Sequence, residues 1–109
     1  MPAISINSPI YVGTPSASSQ SIQLSPQDAL NTTILFYNGS TQDVYVIEST
    51  AAPTAVFPTA ANNGAQEGKV IGPGMMTTFT KREQRQYIGF IQLVAGTGNL
   101  YICPGQGEN

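Results

Sequence analysis

Residues 32–49, TTILFYNGSTQDVYVIES, decide the fold class. Two runs rich in β-branched and aromatic residues flank Asn38-Gly39, and neither run has a helical period. Asn-Gly supplies the positive φ values of a tight reversal, so the stretch predicts an antiparallel hairpin of Thr33 to Tyr37 with Asp43 to Ser49. In the second run Val44 and Val46 face one way, Tyr45 and Ile47 the other. Both sides of that strand then carry apolar bulk, which suits a sandwich strand near an interface.

Downstream, residues 50–69, TAAPTAVFPTAANNGAQEGK, have no sustained periodicity of either kind and predict a long loop, with Val56 and Phe57 able to pin it down. KVIGPGMMTTFTK, residues 69–81, predicts a short strand, a Pro73-Gly74 turn and a strand with Met75, Thr77 and Phe79 on one face. The last segment predicts strands at Tyr87 to Val94 and Asn99 to Cys103 around Gly96-Thr97-Gly98, a hairpin signal. About seven short strands with frequent turns make an all-β chain, an antiparallel β-sandwich or barrel-like domain over residues 31–109.

Upstream, residues 1–30 carry Pro2, Pro9, Pro15 and Pro26 with a Ser-rich stretch between them. Proline fixes φ and lacks a donor, so the segment predicts an extended N-terminal arm with at most short edge strands at Ile4 to Val12 and Ser21 to Leu24. SPQDALN offers at most a single helical turn, with Ser25 as cap. Ile4, Ile6, Ile10, Tyr11, Val12, Ile22 and Leu24 are too many apolar residues for a solvated tail. They lie either on a neighbouring subunit or, as an ordinary first strand pair, on the same sandwich; apolar pattern alone does not say which chain is covered.

The chain has 109 residues, the size of one domain, with 40% apolar residues, only 9% charged and a formal charge of −2. A surface so poor in charge repels neighbours weakly and costs little to desolvate, so it favours packing against other protein. Four Lys plus Arg cannot make the basic stripe that nucleic acid requires, so no nucleic-acid partner is expected. No leader pattern and no long apolar run stand in the sequence, so neither secretion nor a membrane partner is expected.

Histidine is absent, which removes the commonest general base and transition-metal ligand. The carboxylates Asp28, Asp43, Glu48, Glu67, Glu83 and Glu108 are scattered, without the spacing of a paired site. Cys103 has no second cysteine to pair with and reads as a small buried hydrophobe. No catalytic residue, metal site or cofactor is expected. KREQR, residues 81–85, is the one charge cluster; it reads as a solvated hairpin tip, or, through Arg82 and Arg85, as a contact for an acidic patch on another protein. Tyr11, Tyr37, Tyr45, Tyr87 and Tyr101 are the candidates for a sugar-stacking platform or, failing that, for core and interface positions.

From Leu35 to Glu108 the chain resembles small β-rich structural proteins of tailed-bacteriophage virions, through LFYNGSTQDVYVIES, IGPGMMTTFT, YIGFIQLV and AGTGNLYICPGQGEN. The resemblance implies a capsid decoration or cement protein, or else a head-tail connector or tail accessory component. The expected partners are the major capsid protein or other virion proteins, with a homo-oligomer on the particle. The expected location is the capsid surface or head-tail region after synthesis in the host cytoplasm. A carbohydrate- or receptor-binding module of the virion is the alternative. The partner-binding candidates are Ile4, Ile6, Ile10, Tyr11 and Val12 in the arm, Val56 and Phe57 in the loop, and Arg82 and Arg85.

Overall fold

A computed structural model of the chain describes residues 10–25, 33–61, 68–80 and 86–105. The expectations for Ile4, Ile6, the SPQDALN turn, Arg82 and Arg85 fall outside these residues. The described chain is all β, in eight strands: β1 Tyr11–Gly13, β2 Gln20–Gln23, β3 Thr33–Asn38, β4 Val44–Ser49, β5 Lys69–Ile71, β6 Met76–Thr80, β7 Tyr87–Gln92 and β8 Leu100–Gly105. They form two four-stranded antiparallel sheets, in the orders β1-β8-β3-β6 and β2-β7-β4-β5. That interleaved order is the one an eight-stranded jelly roll has: every connection except β4 to β5 passes from one sheet to the other.

The inner faces interdigitate in one core. Ile34 and Phe36 of β3, Leu100 and Ile102 of β8, Val44 and Val46 of β4, Ile88 and Phe90 of β7, and Ile71 and Leu24 are all buried there. Alternation along each strand dictates this choice, because residues two apart share a face. Val44 and Val46 thus enter the main core, while Tyr45 and Ile47 join a second, smaller cluster on the opposite face. Tyr11 and Ile22 pack against the main core. Residues 10–25 of the segment read as an arm therefore belong to the sandwich, as one edge strand in each sheet.

Two predicted hairpins are corrected. β3 and β4 do not pair: β3 lies between β8 and β6, and β4 between β7 and β5. Likewise β7 and β8 lie in different sheets across Gly96 to Gly98. The two glycine loops are bonded to each other. Gly39 N donates to Asn99 O at 2.9 Å, Thr41 N to Thr97 O at 2.9 Å, and Thr97 N to Thr41 Oγ1 at 3.0 Å. Gly39 is not at positive φ; Gly98, at φ 99°, is, and a methyl group there would overlap the Gly39 carbonyl oxygen.

Asn38 is the pin of this end of the sandwich. Its Nδ2 donates to Gln42 O at 2.9 Å and Ile71 O at 2.8 Å, and its Oδ1 accepts from Ser40 N at 3.0 Å and Ser40 Oγ at 2.6 Å. The backbone of the same residue bonds the third crossing, with Asn38 N donating to Met75 O and Gly74 N to Asn38 O. Fully buried, Asn38 has its side-chain hydrogen-bonding capacity matched by partners from β5 of the opposite sheet and from the arch that follows β3.

Candidate functional site

The two outer faces of the sandwich differ, and the difference begins with residue type. None of the residues in β1, β8, β3 or β6 is charged. Among the described residues the charged ones are Asp43, Glu48 and Lys69, all in or leading into the other sheet.

The outer face of the β2-β7-β4-β5 sheet is covered by the chain itself. Residues 50–61 run over it, with Ala55 buried against Tyr45 and Ile47, and Phe57 and Ile91 packed at the margin. The Phe57 ring is tilted on Tyr45 at 6.1 Å between centroids, and Ala55 N donates to Ser19 Oγ at 2.7 Å. Pro53 lies so close over Gly89 that a methyl group there would come within 2.7 Å of it. Burial under this strap raises the Tyr45 hydroxyl pKa above its ordinary value, since the phenolate would have to form away from water. The loop expected at 50–69 is thus present in its described part, and Phe57 does pin it, to its own sheet; Val56 is on the exposed side.

The outer face of the β1-β8-β3-β6 sheet has no such cover among the described residues. Register brings Val12 beside Tyr101, Tyr101 beside Tyr37, and Tyr37 beside Met76, one residue from each strand in a single row. All four are exposed, at 53%, 36%, 37% and 58%. The Tyr37 and Tyr101 rings stack with centroids 5.8 Å apart and planes at 29°, in the middle of the row. The next row is Cys103, Leu35 and Thr78, all half-buried, and then Gly105, Thr33 and Thr80. Ile10, just before β1, is 59% exposed at the same edge.

Of the sequence candidates, then, Ile10 and Val12 lie at the β1 edge of this face. Tyr11 points inward and its hydroxyl accepts from Ser25 N at 3.0 Å. Tyr37 and Tyr101 meet, while Tyr45 goes under the strap. Leu35 and Met76 are not among the sequence candidates, and Cys103, expected as a small buried hydrophobe, is instead half-buried on the outer side. The signal that marks this face is the lack of any charge in four separate strands, which becomes visible only when their register is known.

Among the described residues, little else invites a ligand. An open hollow of about 170 Å³ lies beside β5 and β6, lined by Lys69, Val70, Ile71, Gly72, Met75 and Thr77, well short of the roughly 300 Å³ at which small-molecule sites begin. Among the described residues no group of three Cys, Asp or Glu is placed to hold a metal, and no helix is long and apolar enough to cross a membrane. Comparison with known proteins finds no match: neither a family model, nor a curated protein, nor a solved structure.

Proposed function

We propose that this chain is a non-enzymatic structural component of a tailed-phage virion, acting as a capsid decoration protein held by multivalent contacts to the major capsid protein. The observation that carries the reading is the uncharged, exposed row Val12, Tyr101, Tyr37 and Met76 on a sheet face that no described residue covers, while the opposite face is covered. An apolar patch of this kind on a small domain costs solubility and is retained where other protein covers it. Jelly rolls occur in viral capsid and lectin domains and in cupins, so the fold supports the reading by analogy alone.

In this mechanism no single contact is strong. Weak apolar contacts on a repeating shell reinforce one another, because the first made raises the effective concentration for the next. Ile4 and Ile6, which precede β1 in the sequence, supply the contact to the shell in this reading. A head-tail connector or tail accessory role uses the same surfaces at fewer copies. Stoichiometry in the purified particle tests the reading: many copies per facet support decoration, a single ring at the neck or tail moves the chain there, and absence from the particle refutes it.

The stacked pair Tyr37 and Tyr101 favours one second reading, a carbohydrate-binding module, since sugars stack on exposed aromatic rings. Sugar sites also need several converging polar groups, and the neighbours in this row are Val12 and Met76. A glycan array with the isolated chain separates the two, because specific binding there supports the module and silence supports the structural role.

A further inference from the structure

We propose that Asn38-Gly39 is a latent deamidation site, closed by folding, at which a chain left unfolded is marked irreversibly. Asparagine followed by glycine loses its side-chain amide readily, because glycine sets no side chain in the way of the ring that forms and leaves the backbone free to turn. The sequence holds two such pairs, Asn38-Gly39 and Asn63-Gly64, and the first lies within the described residues.

The chemistry makes definite demands. The Gly39 main-chain nitrogen must give up its proton, reach Asn38 Cγ and bond to it, while the Cγ–Nδ2 bond breaks and the amide leaves with that proton as ammonia. Solvent water then opens the five-membered imide. Addition at Cγ leaves aspartate, and addition at the Asn38 main-chain carbonyl carbon leaves isoaspartate, with the chain routed through the side chain. Water is the one co-reactant.

The fold denies each demand. Gly39 N already donates its hydrogen to Asn99 O at 2.9 Å. The Asn38 amide is held at both ends, Nδ2 by Gln42 O and Ile71 O, Oδ1 by Ser40 N and Ser40 Oγ, so swinging Cγ toward Gly39 N breaks bonds at both. The backbone is held too, with Asn38 N bonded to Met75 O and Asn38 O to Gly74 N. Gly39 is wedged among Asn99 O and the rings of Tyr37 and Tyr101, which a methyl group there would approach to 3.1 and 3.2 Å. Burial of Asn38 also keeps out the water that opens the ring.

In the unfolded chain none of these contacts exists. The rate in the folded protein is then the unfolded rate multiplied by the fraction of time this end of the sandwich is open, about 10⁻³ or less for global unfolding of an ordinary domain and more where it opens locally. Refolding cannot undo the mark. Aspartate at position 38 has no N–H for Gln42 O and Ile71 O and sets its charge against them. Isoaspartate lengthens the backbone at the residue in register with Leu100.

The test follows position 38 by peptide mass spectrometry, with aspartate and isoaspartate separated, in the full chain kept folded in buffer and kept unfolded in guanidinium chloride at the same mildly alkaline pH. A peptide of residues 36–42 in both media corrects for the denaturant. Deamidation at Asn38 is expected to run as fast in the unfolded chain as in the peptide, and at least about a hundredfold slower in the folded chain. When partly modified chains are returned to buffer, those modified at Asn38 are expected to be depleted at least about tenfold in the folded fraction. Asn38→Asp, made directly, needs no refolding step and is expected to melt below wild type at that pH or to fail to fold. Similar rates in the folded and unfolded chain, modified chains that refold as well as unmodified ones, or an Asn38→Asp protein as stable as wild type would each overturn the proposal.

Discussion

The side-chain amide of Asn38, at the end of β3, donates to the main-chain carbonyl of Ile71, at the end of β5, across 2.8 Å. The bond joins one sheet to the other at the end of the sandwich where three crossings converge. Asn38→Leu keeps the branched shape and leaves Ile71 O and Ser40 N to find new partners, so it is expected to cost roughly 2 to 4 kcal/mol in urea unfolding.

Asn38→Asp is a sharper test of the same pin. The carboxylate would face the carbonyl oxygens of Ile71 and Gln42, an arrangement that disfavours the charged form and raises the folded-state pKa. A carboxyl whose folded pKa lies above its unfolded value binds protons more tightly in the fold. The variant is then nearest to wild type at acid pH and loses stability as pH rises from about 4 through the raised value. Melting temperature against pH, compared with wild type, reads this slope.

Two of the described glycines stand at positive φ and should respond differently to alanine. Gly74, at φ 72°, has open space where a methyl would go, and Gly74→Ala is expected to cost about 1 to 2 kcal/mol of backbone strain alone. At Gly98 the methyl meets Gly39 O and the Ser40 Cα, so Gly98→Ala is expected to cost at least about 3 kcal/mol. Equal losses in denaturant unfolding would show that the two glycine loops do not press together.

The strap over Tyr45 predicts a local loosening. Phe57→Ala is expected to cost about 1 to 2 kcal/mol and to speed protease cleavage between residues 50 and 61 before global unfolding. Tyr45 adds an alkaline signature. Its raised folded-state pKa means that its contribution is whole below about 10 and is lost as pH climbs from there toward the raised value. Tyr45→Phe should flatten that part of the stability profile.

The limits of β1 predict the outcome of truncation. Removing residues 2–9 leaves Tyr11–Gly13 intact and is expected to abolish particle attachment with little change in melting. Removal through Val12 takes most of β1 and the core-packed Tyr11, and is expected to cost roughly 2 kcal/mol or more besides. Full attachment by the shorter truncation would remove Ile4 and Ile6 from the mechanism.

Strand positions were legible in the sequence because they depend on neighbours in the chain. The runs around Ile34, Val46, Phe90 and Ile102 are β-rich, and turn residues bound them. Pairing was not legible. Asn38-Gly39 and Gly96-Thr97-Gly98 do mark reversals, but a hairpin and a crossing between sheets carry the same glycines; the choice is made by partners such as Ile71, thirty-three residues from Asn38. The candidate site divides the same way. Tyr37 and Tyr101 stood among the possible surface aromatics, yet only the register of β3 with β8 places them together and adds Val12 and Met76 to their row.

The most direct test is hydroxyl-radical footprinting of the chain alone and in the purified particle, since methionine and tyrosine oxidise according to their exposure. Met75, 59% exposed beside the hollow and off this row, serves as the internal reference for Met76, Tyr37 and Tyr101. Strong protection of these three in the particle, with Met75 still reactive, is the expected result; equal oxidation of the row in the free and assembled states would contradict a covered face.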